Sequence, residues 1–390
     1  MPNVTTRSSR LTPIALVMMI VVAMAMLATG CQSGDESQAT EGANKSQPVK
    51  APDKSDESQT TEKPGRPLTV EEWITANEQR VEEDDLDDED EWNWEADYGR
   101  VLAHFAAEEG RIDVLERLKE QGEDVVSVKD LYGHTPLDYA ARGGRLDVMQ
   151  WLREHGAEVA DTTDEGPTPM FFAARGGSVA AMAWLKEQGA DVNALNDSTG
   201  QTPMFEAAAG GHIEAMAWLK EQGADVNVKD ELFGLTPVYM AANKGHVEAM
   251  VWLKEQGVDI AAQKLRNGET PMFEAAAKGH IEAMAWLKEQ GADVNAKGRS
   301  GLTPMFMAVS GGHVKAVQWL KDHGVDVNVT DADNRSLMVY AAANGNIEVM
   351  QWLKKQGVDI NAVDNDGKTP LSATDDEEAK EWLRANGASE

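Results

Sequence analysis

Cysteine is nearly absent from this sequence, and basic residues are heavily outnumbered by acidic ones. Cys31 is the only cysteine in 390 residues, which excludes a disulfide within the chain. The 36 lysines and arginines stand against 67 aspartates and glutamates, and the formal net charge is -31. Because nucleic acids and anionic lipid surfaces attract basic proteins, this balance argues against both as ligands and favours protein partners.

The sequence also lacks the short motifs that mark common catalytic and cofactor sites. It contains no nucleophile elbow, phosphate-binding loop or zinc signature. Four histidines recur after glycine, too far apart along the chain to share a metal ion, and we interpret them as structural. We predict a protein that is not an enzyme and holds no metal or cofactor; a catalytic cluster hidden on its surface is the alternative. The histidines are His212, His246, His280 and His313.

One phrase, Trp-Leu-Lys-Glu-Gln-Gly-Ala-Asp-Val-Asn, recurs with small changes along the chain. Its tryptophan returns every 33 or 34 residues. A fixed period of this length indicates stacked supersecondary units, none of which can bury its apolar face alone. The function of such a solenoid belongs to an extended surface. The tryptophans are Trp151, Trp184, Trp218, Trp252, Trp286, Trp319 and Trp352.

A second phrase, Thr-Pro followed by an apolar residue, recurs half a repeat away. Threonine can cap a helix through its side-chain oxygen, and proline is tolerated at the first helical position, so we expect each phrase to open a helix. That helix ends at a glycine such as Gly211, and a second amphipathic helix ends at Gly223. The phrases begin at Thr135, Thr168, Thr202, Thr236, Thr270, Thr303 and Thr369.

These units resemble ankyrin repeats from about residue 98 to residue 386. They match the pattern Gly-x-Thr-Pro-Leu-x-x-Ala-Ala, then Gly-His, then Leu-x-x-x-Gly-Ala-Asp-Val-Asn, in seven consecutive copies. The resemblance implies an all-α ankyrin-repeat solenoid of eight to nine units, including degenerate units at both ends. It also implies a monomer that binds a protein through its concave face and turn tips.

Two positions depart from the family pattern. Aromatic residues stand where the family usually has histidine, and we expect aromatic packing there in place of polar bonds between neighbours. Lysine stands where a third leucine is common. The aromatic residues are Phe171, Phe205, Tyr239, Phe273 and Phe306, and the lysines are Lys186, Lys220 and Lys288.

The amino terminus predicts export. Two arginines precede an apolar stretch from Ile14 to Ala28, which is short for a membrane span of about 20 residues and is typical of a signal peptide. The sequence Leu-Ala-Thr-Gly before Cys31 resembles the lipobox of bacterial lipoproteins, which implies lipid modification of Cys31. Gln32 after it, by resemblance to enterobacterial lipoproteins, favours the outer membrane. An uncleaved anchor and ordinary secretion are the alternatives to this lipid anchor in the bacterial cell envelope.

Composition divides the chain into four parts. Residues 1–30 are the predicted lipoprotein signal peptide, and residues 31–66 a tether too polar to form a core, which we expect to be disordered. Residues 67–97 are an acidic segment with a candidate capping helix around Trp73, and residues 98–390 the ankyrin-repeat domain.

The acidic segment allows two interpretations. Nine of the ten residues from Glu82 to Glu91 are acidic, and Trp92 and Trp94 follow them. The segment is either a solvated linker whose tryptophans sit on the first repeat, or a tethered ligand for the concave groove. A calcium site there would lack the glycine and terminal glutamate of an EF-hand loop.

Apolar side chains in two turns are candidates for partner binding. Exposed apolar residues at loop tips suggest an interface, although the same residues can instead pack against an adjacent turn. The candidates are Leu131, Tyr132, Leu232, Phe233 and Leu235.

Basic residues recur near the ends of the first helices and in the turns. Single basic residues are usually solvated, so only their alignment argues for a basic stripe that receives an acidic partner or the segment Glu82 to Trp94. The helix-end residues are Arg142, Arg175, Lys244 and Lys278, and the turn residues are Arg266, Arg299 and Arg335.

These patterns predict a membrane-tethered protein-interaction module or scaffold of the envelope. Two alternatives stay open. The chain could inhibit or protect an envelope or periplasmic enzyme, or it could be a passive surface lipoprotein with no specific partner. A contiguous apolar and basic groove favours a binder, whereas uniform acidity favours the passive role.

Overall fold

A computed structural model describes residues 70, 73, 94–130, 132–159, 168–196 and 199–389, with residues 94–101 described through their backbone only. The predicted signal peptide, Cys31, the tether and Leu131 lie outside the described residues, as does most of the acidic segment. Within the described ranges, no helix combines the length and apolar character needed to cross a membrane.

Helices arranged in pairs make up this part of the chain, which confirms the predicted all-α ankyrin-repeat solenoid. Eight pairs are followed by one helix. The pairs are α1 Trp94–Glu109 with α2 Ile112–Glu120, α3 Pro136–Arg142 with α4 Leu146–Glu154, α5 Pro169–Arg175 with α6 Val179–Glu187, α7 Pro203–Ala209 with α8 Ile213–Glu221, α9 Pro237–Lys244 with α10 Val247–Glu255, α11 Pro271–Ala277 with α12 Ile281–Glu289, α13 Pro304–Ser310 with α14 Val314–Asp322, and α15 Leu337–Ala343 with α16 Ile347–Lys355; the last helix is α17 Glu377–Ala385.

The pairs stack in two layers. Each first helix packs against the first helices of its neighbours, and each second helix packs against its own partner and the next second helix. One hydrophobic core extends from Leu102 to Leu383. Every full repeat contributes small alanines, such as Ala207 and Ala208, which let the first helices approach closely. No repeat has a core of its own, so the stack is stabilised by contacts between neighbours.

The threonine caps are a correction to the sequence analysis. Thr168, Thr236, Thr270 and Thr303 all precede a helix and have an extended backbone, but their buried hydroxyls bond to no described atom. The first turn closes through the main chain instead, as where the Phe171 N–H donates to the Thr168 carbonyl over 2.9 Å. This tight bond is of the type found where a helix begins as a 3₁₀ turn.

The last Thr-Pro phrase opens only a turn, contrary to the prediction that each phrase opens a helix. The Ala373 N–H donates to the Thr369 carbonyl over 3.0 Å, and the chain then leaves the helical path. Trp382 follows Trp352 by 30 residues, three or four fewer than in the other repeats. The shortened unit has no room for a first helix, so α17 covers the stack alone.

Glycine ends the helices as predicted, and one of these glycines is also required by packing. Gly211 follows α7 with a φ of 70°, a conformation that favours glycine. A Cβ atom at Gly211 would lie 2.8 Å from the ring of His246 in the next repeat. The glycine therefore serves both the turn and the contact between repeats.

Trp73 covers the first repeat. Its buried indole Nε1 donates to Glu109 over 2.5 Å, and the Arg111 guanidinium lies 5.7 Å from the indole centroid. Val70 is helical as well and packs against the same core. The stack is thus covered by apolar side chains at the first repeat and by α17 at the last.

Candidate protein-binding surface

The turn tips of the later repeats are joined by main-chain hydrogen bonds. Each tip donates one N–H group to a carbonyl of the preceding tip. Tips that are bonded in this way present their side chains on one fixed surface. The donor and acceptor pairs are Arg266 with Phe233 at 3.0 Å, Arg299 with Asn267 at 2.6 Å, Ala332 with Ser300 at 3.0 Å, and Asn365 with Asp333 at 2.9 Å.

Leu232 and Phe233 are two neighbouring exposed apolar residues of this surface. Their exposed fractions are 54% and 45%. The Asp230 carboxylate holds their turn by accepting from the N–H groups of Phe233 at 2.8 Å, Gly234 at 2.7 Å and Leu235 at 3.1 Å. The turn is therefore rigid while its two apolar side chains stay in contact with water.

Leu235 is buried, with an exposed fraction of only 7%, which corrects its prediction as a partner-binding residue. It packs with Phe205, Tyr239 and Leu265 in a small cluster beneath the tips. After Gly234, whose φ is 76°, the chain turns back toward the start of α9, which directs Leu235 inward. Its role is to support the tip, and we remove it from the predicted partner-binding residues.

Tyr132 is an exposed aromatic side chain of the earlier turn, with 78% of its surface accessible. Its ring stacks on His134 at 5.9 Å between centroids, and its N–H donates to Asp130 over 2.9 Å. Two further turns, before the helices that begin at Pro169 and Pro203, lie between those of Tyr132 and Phe233, so the structure does not bring the two apolar turns together.

Arg142 and Arg175 are not free members of a basic stripe, which is a second correction. Arg142 forms two hydrogen bonds with Glu108, at 2.9 and 2.7 Å, and lies 4.7 Å from the Tyr139 ring centroid. Arg175 Nε lies 2.6 Å from the Glu206 carboxylate. Each pair connects successive first helices, so these arginines stabilise the stack.

Arg335 is also neutralised within the turn. Its guanidinium bonds to Asp331 and Asp333, both at 2.8 Å. The Tyr340 hydroxyl donates a hydrogen bond to the Asp331 carboxylate over 2.8 Å. Burial raises the pKa of Tyr340 above its ordinary value, with help from the hydrogen bond to Asp331. Arg335 is therefore not a free member of the predicted basic stripe either.

Glu274 occupies the position equivalent to Glu206. Its buried carboxylate accepts from Asn243 Nδ2 over 2.5 Å, and Tyr239 donates to it over 3.4 Å. Burial raises the pKa of Glu274, against the opposing effect of the Asn243 hydrogen bond and of Lys278. These glutamates were not among the predicted site residues. Their signal was an arginine or asparagine followed 31 residues later by glutamate, in the helix of the next repeat.

Of the basic residues predicted to form the stripe, four form no ion pair with a carboxylate that the structure describes, and we call them the groove cations: Lys244, Lys278, Arg266 and Arg299. Arg266 and Arg299 are exposed at adjacent tips, and Lys244 and Lys278 end α9 and follow α11. Inner helices of seven or eight residues are about 10 to 12 Å long. The two rows of cations thus border a strip of about that width.

The histidine column connects repeats, in agreement with its structural interpretation. His212 Nε2 lies 2.9 Å from the Arg175 carbonyl, and His280 Nε2 lies 2.9 Å from the Asn243 carbonyl. Burial lowers the pKa of His246, His280 and His313. Among the described side chains, no His, Cys, Asp and Glu are grouped as metal ligands would be.

The convex face carries its own connections between repeats. Lys186 Nζ donates to Gln222 over 2.5 Å, and Lys220 Nζ donates to Gln256 over 2.5 Å. At these two positions the lysine that replaces the third leucine of the family pattern bonds to the next repeat. The outer lysines are held by the neighbouring repeat, whereas the groove cations are available to a ligand.

Asp138 is a buried acid between the first two full repeats. Its Oδ2 accepts from the Thr135 N–H and hydroxyl at 2.7 and 2.9 Å, while its Oδ1 has no partner among the described atoms. Burial raises the pKa of Asp138 to about 6. Burial alone would also raise the pKa of nearby Asp130, but hydrogen bonds led by that from His134 lower it to about 2.

Comparison with known families agrees with the observed architecture. A model of many-copy ankyrin repeats matches residues 238–287 and 272–320, and a model of three ankyrin copies matches residues 67–163, 158–230 and 297–364. A search of curated proteins gave no significant match. Ankyrin repeats imply a protein–protein interaction module, and scaffolds of this kind are typically not enzymes. Together the matched residues cover well over half of the sequence, and the chain belongs to the ankyrin-repeat family.

Proposed function

We propose that this chain is a membrane-tethered module of the bacterial cell envelope that binds another protein with its concave face and turn tips. One observation carries the proposal. Leu232 and Phe233 are exposed on a rigid row of tips beside four cations without carboxylate partners, in a chain whose formal net charge is -31. Exposed apolar side chains next to a charge of the minority sign are typical of an interaction site.

Anchoring would act through the sequence before the repeats. Lipid on Cys31 and a polar tether of about 35 residues would give a mean reach of roughly 30 to 35 Å. A module held in this way meets a membrane-associated partner at a raised effective concentration. The proposal therefore includes an envelope location, which binding itself does not require but capture at the membrane surface does.

The test is crosslinking and affinity capture from envelope fractions with the intact chain and a variant carrying Leu232→Ser and Phe233→Ser. Leu235 is left unchanged because its substitution would disturb the buried cluster beneath the tips. A protein that the intact chain captures and the variant loses, while both unfold at the same urea concentration, supports the proposal. Equal capture by both would contradict this location of the site.

A matched control is Leu195→Ser together with Val363→Ser. Both side chains are about half exposed but lie in other turns. This variant should capture the same protein as the intact chain. Radiolabelled palmitate incorporation, compared between the intact chain and Cys31→Ala, tests the lipid anchor separately.

Two other functions make different predictions. An inhibitor or protector of an envelope or periplasmic enzyme would change the activity or lifetime of the captured enzyme, whereas a scaffold would leave both unchanged. A passive surface lipoprotein would capture no protein that depends on Leu232 and Phe233. The ion-paired arginines favour the passive role over most of the groove, and the groove cations favour a binder near α9 and α11.

A further inference from the structure

We propose that the groove cations and the Leu232–Phe233 tip select an acidic, extended segment of a partner protein that carries an aromatic or large aliphatic anchor. This inference rests on the proposed function and specifies the partner's chemistry. It excludes partners that present a basic helix or a neutral surface.

The basic residues of the predicted stripe divide into an ion-paired group and an unpaired group. Arg142, Arg175 and Arg335 are each bonded to a carboxylate within 3 Å, so their charge is used inside the stack. Lys244, Lys278, Arg266 and Arg299 have no such partner in the described ranges. Among the predicted stripe residues, those that keep an unpaired positive charge thus lie in neighbouring repeats, where they attract carboxylates and disfavour other cations.

The groove cations are spaced by one repeat in each of two rows. Lys244 and Lys278 lie 34 residues apart at equivalent positions of successive repeats, and Arg266 and Arg299 lie 33 apart in successive tips. Packed helices are separated by about 8 to 10 Å. Three residues of extended chain span about 10 Å. Side chains three residues apart in an extended chain point to opposite sides, so acidic residues at every third position can alternate between the helix-end row and the tip row.

The strip between the two rows of cations is narrow and partly apolar. The tip cations and the helix-end cations border a strip about 10 to 12 Å wide, which accommodates one extended chain. Met240 and Met307 are partly exposed on the inner helices α9 and α13. Methionine adapts its shape to an apolar ligand. The exposed Leu232 and Phe233 stand at the edge of the strip, where an anchor residue can pack.

The carboxylates near this strip do not cancel its charge by direct pairing. Glu274 is buried and bonded to Asn243, and burial raises the pKa of Glu269, against the lowering effect of its hydrogen bond with Asn267. Glu231 is exposed at the Leu232 tip and forms no ion pair with a described cation. Because Glu231 would repel a nearby carboxylate, we expect that no acidic side chain directly follows the anchor residue of the ligand.

A peptide with the sequence of residues 82–94 is a suitable probe, since it combines nine acidic residues with two tryptophans. The assay is fluorescence anisotropy of this labelled peptide with the full chain in detergent. The protein used in this assay is a variant in which the acidic residues of 82–91 are replaced by asparagine and glutamine, so that its own segment cannot compete with the peptide. We expect saturable binding that weakens at least about tenfold between low and high salt, because screening acts on exposed pairs.

Charge reversal then locates the site. Arg266→Glu with Arg299→Glu should weaken peptide binding by about tenfold or more, because it places like charges opposite each other. Lys186→Glu with Lys220→Glu changes the net charge equally on the convex face and should weaken binding less than about threefold. A peptide with serine in place of both tryptophans should bind more weakly, and a peptide with amides in place of its acids should not bind.

Four results would overturn the inference. Three of them are no binding of the acidic peptide, equal loss with the two charge-reversed pairs, and equal binding of the amide peptide. A protein captured from envelopes through Leu232 and Phe233 alongside any of these results would leave the proposed function standing and remove only the acidic ligand. Tighter binding to the amide-substituted protein than to the unaltered chain would identify the segment 82–94 as the occupant and overturn the assignment to a partner.

Discussion

The Arg175 guanidinium lies 2.6 Å from the carboxylate of Glu206, 31 residues further along the chain. The contact joins the end of α5 to the first turn of α7, and Glu206 is almost completely buried. It determines two properties at once. The pair stabilises the junction between two repeats, and it removes one arginine from the surface that meets a partner.

Removal of this arginine is expected to destabilise the stack. Arg175→Met leaves a buried carboxylate without its strongest donor, at a cost of about 1 to 3 kcal/mol in the free energy of unfolding. Urea denaturation followed by tryptophan fluorescence measures the change. Arg175→Met with Glu206→Gln should recover part of the loss, while Lys220→Met on the convex face should cost less than about 0.5 kcal/mol. A loss with Lys220→Met as large as with Arg175→Met would contradict a special role for the buried pair.

Asp138 is expected to make stability depend on pH. Its folded pKa of about 6 lies above the ordinary value of 3.8, so the folded state binds the proton more tightly than the unfolded state. The resulting stabilisation is complete below pH 3.8 and is lost as the pH rises through about 6. Asp138→Asn should therefore unfold like the unaltered chain at pH 4 and be more stable at pH 8, by at most about 3 kcal/mol.

Urea titrations at both pH values test this expectation. The low pKa of Asp130, about 2, adds stability that is lost only as the pH falls from 3.8 toward 2, in both proteins alike. A difference between the two proteins that is the same at pH 4 and pH 8 would show that packing, and not ionisation, distinguishes them.

Leu235 and Phe233 are expected to respond differently to the same substitution. Leu235→Ser places a hydroxyl in the cluster with Tyr239 and Leu265 and should cost about 2 to 4 kcal/mol in the free energy of unfolding. Phe233→Ser changes a half-exposed side chain and should cost less than about 1 kcal/mol. The measurement is urea denaturation, with partner capture as a second readout. Loss of capture without loss of stability is expected only for Phe233→Ser.

Gly211 and Gly223 allow backbone strain to be separated from packing. Both have positive φ, 70° and 98°, so alanine at either position should cost about 1 kcal/mol or more. Only at Gly211 would the new methyl group also collide with His246, at 2.8 Å. Gly211→Ala should therefore lower the midpoint of thermal unfolding further than Gly223→Ala. Equal shifts would mean that His246 moves aside without cost.

Much of the fold could be predicted from residues within one repeat. The tryptophan period, the proline before each first helix and the glycines after the helices are local signals, because they report the backbone conformation of a few successive residues. The same reasoning overestimated the threonine hydroxyls, since sequence does not reveal that the main chain closes the first turn. It also could not show that the last Thr-Pro phrase lacks room for a helix.

The sequence alone determined the repeat, its helix pairs, its alanine, methionine and leucine core, and the predominance of negative charge. Only the tertiary structure decided which basic residues remain unpaired. Arg175 and Lys244 occupy similar places near the ends of first helices, yet the first meets Glu206 of the next repeat and the second meets no described carboxylate. Likewise, Phe233 is exposed and Leu235, two residues later, is buried. These differences depend on contacts between residues about 30 positions apart, and such contacts exist only once neighbouring repeats are packed together.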